Sequence, residues 1–165
     1  MDVIEAIRTR RSIRSYVQKP LESRHKDILL EAARLAPSGA NRQPWQIIMV
    51  TNEQTMKDLV PICKNQDFVG QCSMFLVGVD DPNQKWSRVD LSIAMDHLAL
   101  TAQELGLGTC WIGAFDQAKL AKLLGVPADR VITVCMTVGY PAEEPAARSR
   151  KSNEELFFRE RYGNS

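Results

Sequence analysis

The sequence predicts one globular domain in which α-helices and β-strands are mixed without a regular β-α-β alternation. The chain has 165 residues, 44% of them hydrophobic and 25% charged, which is ordinary for a single soluble domain. Helical and strand-like patterns follow one another irregularly, with no internal repeat, low-complexity segment or linker. The glycine pattern G-x-G-x-x-G, which would open a dinucleotide-binding unit, does not follow the first predicted strand.

Apolar residues at helical spacing predict five helices. These helices cover residues 2–9, 22–35, 53–60, 88–105 and 117–124. Pro37 follows the second helix and stops it, while Asn52 and Asp116 are N-caps of the third and fifth. The fourth helix has apolar residues on most of its circumference and little polar face. We therefore expect it to lie in the core or at a subunit interface.

Apolar and β-branched runs predict four strands, over residues 46–51, 73–79, 109–113 and 131–138. Cys110 and Cys135 fall inside two of these runs, so we expect both to be buried thiols. The spacing of the four cysteines matches neither a redox pair nor a zinc finger. His25 and His97 have no neighbouring ligands at metal spacing, so no metal site is expected.

The ends and the overall charge of the chain bear on its location and partners. The first residues are acidic and lack the basic stretch and apolar run of a secretory leader, and no apolar segment approaches the ~20 residues that span a bilayer. We expect a cytoplasmic protein with no membrane partner. The net charge is only +1 and no aromatic residue lies between the amino-terminal arginines, which argues against a nucleic-acid partner.

Two short segments near the amino terminus indicate a ligand site. Residues 10–14 contain three arginines and a serine, a density of donors suited to a phosphate group. Residues 37–45 form a turn with two prolines, a glycine, a serine and an asparagine, whose backbone amides are free for a ligand. A second basic group occupies residues 148–151. Together these features predict a phosphorylated, planar cofactor.

Each segment has a simpler interpretation when it is taken alone. An arginine cluster is often a solvated surface, and a turn of proline, glycine and asparagine is often only a connection. The concentration of basic residues in two groups, in a chain of net charge +1, favours the ligand interpretation. Because the glycine-rich phosphate loop G-x-x-x-x-G-K-[ST] is absent, side chains would have to hold the phosphate.

The order of these segments along the chain resembles the nitroreductase family of FMN-dependent oxidoreductases over nearly the full length. The landmarks in order are Arg-Arg-Ser-Ile-Arg at 10–14, Pro-Ser-Gly-Ala-Asn-Arg-Gln-Pro-Trp at 37–45, Glu-Leu-Gly-Leu-Gly-Thr-Cys-Trp-Ile-Gly at 104–113, and Gly-Tyr-Pro at 139–141 followed by residues 150–156. The resemblance implies an α+β fold in which helices flank a central, mostly antiparallel sheet. It also implies a homodimer, with one domain spanning residues 1–165 and FMN in the subunit interface.

The resemblance also assigns residues to the cofactor. Those implied to bind the FMN phosphate are Arg10, Ser12, Arg14, Arg148 and Arg150. Arg11 would approach the ribityl chain or the ring. The residues implied to meet the flavin from the partner subunit are Pro37, Ser38, Gly39 and Asn41. The residues after Gly163 are too few for a long exchange arm between subunits.

Two further segments of the resemblance concern the flavin ring. Asn65 lies where relatives place a polar contact to the flavin edge. Ile112, Gly113 and Ala114 would lie along the ring, with a backbone amide near Gly113 facing the flavin N5 atom. Trp111 is expected to be a core aromatic residue rather than a stacking partner.

The resemblance implies that FMN carries out the redox chemistry, with NADH or NADPH as electron donor. Nitroaromatics, quinones or similar electron-poor small molecules would be the acceptors, and donor and acceptor would bind in turn, giving ping-pong kinetics. This scheme requires no side-chain acid or base, so no catalytic residue is named. The alternatives are an FMN-binding module without turnover and a flavin-processing member of the same family. A deiodinating role is not expected, because no tyrosine lies between Tyr16 and Tyr140.

Overall fold

An antiparallel sheet of five strands forms the centre of the computed structural model, which describes residues 1–164. The strands are β1 (Tyr16–Val17), β2 (Trp45–Val50), β3 (Met74–Asp80), β4 (Gly108–Ile112) and β5 (Val131–Pro141). The four strands expected from sequence are confirmed within three residues at each end. The two-residue strand β1 is too short for a sequence pattern, and only its pairing with β5 reveals it.

Strand β5 organises the sheet. One edge of β5 pairs with β3, which pairs in turn with β2. The other edge pairs first with β4, between Cys135 and Gly139, and then with β1, at Tyr140 and Pro141. Every one of these strand pairs is antiparallel, which confirms the expected α+β sheet.

Helices cover both faces of the sheet. They are α1 (Val3–Thr9), α2 (Ser23–Arg34), α3 (Glu53–Ile62), α4 (Ser87–Glu104), α5 (Gln117–Leu124) and α6 (Asn153–Leu156). The expected N-caps are present, because the side chains of Asn52 and Asp116 accept backbone amide hydrogen bonds in the first turns of α3 and α5. The helix expected to end at Val60 continues two residues further, and the Cys63 amide closes its last turn on the Leu59 carbonyl at 2.8 Å.

Strand β3 separates two apolar clusters, because its side chains alternate between the two faces of the sheet. Phe75 and Val77 belong to the cluster formed with α3 and α5, whereas Met74 and Leu76 belong to the cluster formed with α2 and α4. All seven residues of β3 are buried, so this strand has no solvent-facing side. The molecule therefore has three layers, with the sheet in the middle.

Helix α4 lies in the core, as one of the two sequence expectations proposed. Met95, Leu98 and Ala99 are fully buried on its inner side. A stripe on its outer side stays at the surface, where Val89 is 51% exposed. The apolar residues of α4 therefore lie on two sides of the helix. One side is buried toward the sheet, and the other is a partly exposed strip, which we call the outer stripe and which contains Val89 and Ile93.

Strand β4 begins in very close contact with the arginine segment. A Cβ atom at Gly108 would lie 2.6 Å from Cγ1 and 2.8 Å from Cβ of Ile13, distances that no side chain tolerates. Glycine is therefore required at this position by the close approach of the Ile13 side chain to the β4 backbone. Gly113 is different, since a Cβ atom there would meet nothing within 4 Å.

We predict that Gly108→Ala lowers the free energy of unfolding by about 1 to 3 kcal/mol, because Ile13 and its backbone must move to admit the methyl group. Chemical denaturation followed by circular dichroism measures this change. Gly113→Ala is the matched control and should leave the midpoint of unfolding unchanged. Equal midpoints for the two variants would contradict the close packing at Gly108.

Candidate functional site

The arginine segment is held as an extension of the sheet. Arg10 is the C-cap of α1, and the chain then runs beside the first residues of β4. Ser12 forms an isolated parallel bridge with Thr109, and the Ile13 amide donates to the Thr109 carbonyl at 2.9 Å. Ile13 is buried, which orients its two neighbours in the chain toward the outside. The polar side chains of this segment thus have a fixed backbone beneath them.

A cavity of about 230 Å³ brings the two basic groups of the sequence together. Its lining consists of Arg10, Arg11, Ser12, Arg14, Glu143, Pro145, Ala146, Arg148 and Arg150. We call it the arginine cavity. Residues 10 and 150 are 140 positions apart, and they meet because β1 pairs with the end of β5 and the Ala142 amide donates to the Ser15 carbonyl at 2.9 Å. The fold thus brings together the two basic groups that the family resemblance assigns to one phosphate.

Several hydrogen-bond donors in and beside this cavity have no protein partner. Among the described residues, Nη1 of Arg10 and Nε of Arg11 are buried without a hydrogen bond, and so is Oγ1 of Thr109 beside them. A second nitrogen of the Arg11 guanidinium is paired, because Nη1 donates to the carbonyls of Arg8 and Arg10, both at 2.8 Å. Buried polar groups are nearly always paired, so unpaired ones point to an absent acceptor.

Glu143 is the one carboxylate among the residues that line the arginine cavity, and sequence reasoning missed it. Its Oε1 accepts a hydrogen bond from the Arg14 backbone amide. A glutamate within a group of five arginines offsets part of the positive charge when no anion is bound. Its position shortly after Pro141, which ends β5, is the one sequence feature that could have indicated it.

Cys110 lies behind this cavity. Burial raises the pKa of the Cys110 thiol above its ordinary value, although the positive charges of Arg14 and Arg10 oppose the shift. Cys135 is fully buried, and burial likewise raises the pKa of its thiol. Both thiols are therefore core groups, as expected, and neither is activated as a nucleophile.

The turn at residues 37–41 lies outside the arginine cavity. Gly39 lines a different cavity, of about 420 Å³, together with Trp86 and Asp90. Pro37 and Asn41 are exposed, and Ser38 is half-buried. The structure therefore does not bring the turn to the arginines of the same chain, and its expected contact with the flavin of a partner subunit stays a prediction.

The third group of expected site residues lies together at the far end of β4. Ile112 is buried, whereas Gly113 and Ala114 are exposed. The segment containing Asn65 lies against them, since Nε2 of Gln66 donates to the Ala114 carbonyl at 3.5 Å. Asn65 itself is exposed and has a left-handed backbone, with φ of 58°.

Strand β4 thus connects two different surfaces. Thr109 lies beside the arginines, and Gly113 lies at the open surface about 13 Å further along, which is four residues of extended chain. Trp111, between them, is half-buried and packs against the apolar cluster of α4, which agrees with the expectation of a core aromatic. The arrangement suits an elongated ligand with an anionic group at one end and a flat group at the other.

Comparisons with known proteins identify the class of fold and site. The family model described as the Nitroreductase family matches residues 7–68 and 63–140. A protein of Methanothermobacter thermautotrophicus, named as a candidate NADH dehydrogenase or NAD(P)H nitroreductase, is 31% identical over 157 residues that cover 90% of this chain and 82% of the relative. The chain belongs to the Nitroreductase family.

Two other comparisons agree. The NAD(P)H-dependent FMN reductase of Bacillus subtilis is 28% identical over a match that covers 99% of this chain and 75% of the relative. The solved structure of the NADPH:FMN oxidoreductase of Vibrio harveyi, in complex with NAD+, is similar with a TM-score of 0.91 at 25% identity, covering 97% of this chain and 77% of that chain. Within residues 1–164, no helix has the length and apolar character needed to cross a bilayer.

We predict that Glu143→Gln strengthens the binding of inorganic phosphate about two- to fivefold, because glutamine keeps an acceptor for the Arg14 amide but removes one negative charge near the anion. Isothermal titration at low ionic strength measures the affinity. Glu144→Gln is the control, since Glu144 is exposed and does not line the arginine cavity. Weaker binding in Glu143→Gln would show that the carboxylate orients the site rather than opposing the anion.

Proposed function

We propose that this protein is an FMN-dependent oxidoreductase that takes electrons from NADH or NADPH and reduces electron-poor small molecules such as nitroaromatics and quinones. One observation carries the proposal: β4 links a cavity of unpaired arginine donors at its start to an open backbone surface at its end. Family membership supports the same conclusion. We also propose that residues 1–165 form a single domain.

FMN fits the residues that are present. Its phosphate monoester carries about −1.5 to −2 charges and several acceptor oxygens. Nη1 of Arg10 and Nε of Arg11 are buried donors without an acceptor, and such donors recover their lost hydrogen bonds when an anion binds. The cavity also presents Arg14, Arg148 and Arg150. This donor set supports the phosphate-binding role expected of these arginines.

At the other end of β4, the chain offers backbone rather than side chains. Gly113 has no side chain and its surroundings are open within 4 Å, so a flat ring could approach the main chain closely. The Asn65 side chain and the backbone of Ile112 and Ala114 would border the ring. When bound, FMN supplies hydride acceptance and donation, and the protein supplies position and electrostatics. No side-chain acid or base is assigned to the reaction.

The site would be open and only modestly selective. The segments that would flank the ring, residues 61–72 and 80–87, are short and place no long lid over it. Donor and acceptor would then occupy the same face in turn, which gives ping-pong kinetics. Binding of FMN without reduction by NADH or NADPH would instead identify an FMN-binding module.

We propose that two chains assemble into a homodimer through the outer stripe of α4. A groove of about 490 Å³ runs along this stripe and is lined by Arg88, Val89, Ser92, Ile93, Asp96 and His97. Exposed apolar residues are also present on α1, where Val3 is 68% exposed. Helices α1 and α4 pack against each other, so these exposed apolar side chains lie on neighbouring elements and support the assignment. A dimer would allow Ser38 and Gly39 of one chain to contact FMN held by the other.

We predict that the purified protein is yellow, releases FMN rather than FAD on denaturation, and is bleached by NADH or NADPH in the absence of oxygen. A colourless parent that takes up no added FMN would refute the proposed function.

We predict that Arg150→Ala weakens FMN binding about ten- to a hundredfold, because a charge-assisted hydrogen bond contributes about 1.5 to 3 kcal/mol. Fluorescence titration of the apoprotein measures the affinity. The neighbouring Lys151→Ala is the control and should bind FMN like the parent.

We predict that Val89→Glu lowers the dimer population and FMN content together, because the charge enters the outer stripe of α4 without touching the core. The parent should sediment at about twice 18.6 kDa. Leu123→Glu, at a 38% exposed position on α5, is the control and should leave the dimer intact. A charge at the fully buried Ala99 would unfold the chain and would not test the interface. An FMN-saturated monomeric parent would contradict the assignment.

A further inference from the structure

The turn at residues 38–43 is tied to the rest of the protein at one point. Most of its hydrogen bonds are internal: the Asn41 amide donates to the Ser38 carbonyl at 2.9 Å, and the Gln43 amide donates to Ser38 Oγ at 3.0 Å. Among the described residues, the hydrogen bonds that leave this segment both run from the Gly39 amide to the carboxylate of Asp90, at 3.3 Å to each oxygen.

Asp90 belongs to the first turn of α4 and is 5% exposed. Its own amide donates to the Trp86 carbonyl at 2.8 Å, so its backbone is fixed by the helix. Within residues 1–164 its carboxylate has no lysine, arginine or histidine nitrogen within 4 Å. Both oxygens of this carboxylate accept from the Gly39 amide, so its acceptor capacity is directed at one backbone group.

The turn needs such an attachment because its backbone is strained. Ala40, Asn41 and Gln43 have φ values of 51°, 55° and 50°, in the left-handed region that residues with a Cβ atom seldom adopt. Residues in this region cost free energy and persist only when their surroundings hold them. The Trp86 side chain also lies close to Gly39, because a Cβ atom built at Gly39 would be only 3.4 Å from Cδ1 of Trp86. This packing holds Gly39 near α4 together with the hydrogen bond.

We infer that Asp90 is a positioning residue, which fixes the turn at residues 38–43 through the Gly39 amide in the conformation that receives the flavin of the partner subunit. The flavin contact rests on the proposed function, whereas the attachment of the turn does not. Helix α4 would then have two roles. Its buried apolar side chains pack in the core, and the Asp90 carboxylate in its first turn holds the turn at residues 38–43.

Asp80 offers a matched comparison, because it is a second buried aspartate close by in the fold. It is fully buried, and its carboxylate accepts from the hydroxyls of Ser87 and Thr133. No hydrogen bond connects it to the turn at residues 38–43 in the described part of the chain. Asp80 contacts Ser87 in the first turn of α4 but not the turn at residues 38–43, so replacing Asp80 measures the effect of loosening the start of α4. Replacing Asp90 measures the additional effect of losing the hydrogen bond to the Gly39 amide.

The experiment compares hydrogen exchange and FMN affinity in Asp90→Ala, Asp90→Asn and Asp80→Asn. In the apoprotein, Asp90→Ala should raise exchange at the amides of residues 39–43 about tenfold or more, and it should weaken FMN binding by a similar factor. Asp90→Asn keeps an acceptor oxygen, so its exchange in the turn and its FMN affinity should both stay close to those of the parent. Asp80→Asn should lower the melting temperature without a selective rise of exchange in the turn.

A second pair of variants tests the same hydrogen bond from the turn. Gly39→Pro removes the amide donor, and proline is well accepted at the first position of a helical turn. Gly39→Ala keeps the amide and brings only an ordinary contact with Trp86. The proline variant should reproduce the faster exchange of residues 40–43 expected for Asp90→Ala, and the alanine variant should not. FMN affinity is compared only among the Asp80 and Asp90 variants, because Gly39 is itself expected to contact the flavin. The Gly39 pair decides whether the hydrogen bond holds the turn even if Asp90→Ala fails to fold.

Unchanged exchange in residues 40–43 in both Asp90→Ala and Gly39→Pro would overturn the inference. Faster exchange with unchanged FMN affinity would overturn its functional half, because the turn would then be anchored without serving the flavin. Failure of the parent to bind FMN would refute the proposed function, and the exchange data on the apoprotein would still decide whether Asp90 holds the turn.

Discussion

The pairing of the arginine segment with the start of β4 is the constraint on which the candidate site depends. The Ile13 amide donates to the Thr109 carbonyl, and Gly108 leaves room for the Ile13 side chain. Because β4 and β5 are antiparallel, the start of β4 lies beside the end of β5, at Gly139. The chain leaving β5 therefore passes the arginine segment and brings the second basic group to it. One backbone contact and one strand order place five arginines around a single cavity.

The cavity has an electrostatic cost that a bound anion would remove. Unpaired buried donors, such as Nη1 of Arg10 and Nε of Arg11, each lose about 1 to 3 kcal/mol relative to paired ones. Like charges close together add to this cost, and Glu143 compensates for only part of it. The arrangement of these donors by itself therefore contributes little to the stability of the fold. It is well arranged for an anion with several acceptor oxygens, which is why the donor set favours a phosphate over a single carboxylate.

Helix α4 connects the core with the two surfaces on which the proposals rest. Its inner side fills the space between α2 and the sheet, and its outer stripe is exposed and carries the proposed dimer contact. At its first turn, Asp90 reaches the strained turn that carries Ser38 and Gly39. A rigid, buried helix is a suitable support for such a turn, because a residue with little freedom of its own transfers that restraint to its hydrogen-bond partner.

The sequence by itself determined the type of every helix and strand longer than four residues, the family and the basic groups. Helical and strand periodicities follow from which side chains must be buried, and those patterns are local. It could not place Glu143 and Thr109 beside the arginines, or Asp90 beside the Gly39 amide, because each of these contacts crosses the fold. Glu143 contacts the Arg14 amide and Asp90 the Gly39 amide, at separations of 129 and 51 residues along the chain. Only the tertiary structure decided these pairings, since they depend on strand order and on the register of β4, which no local pattern encodes.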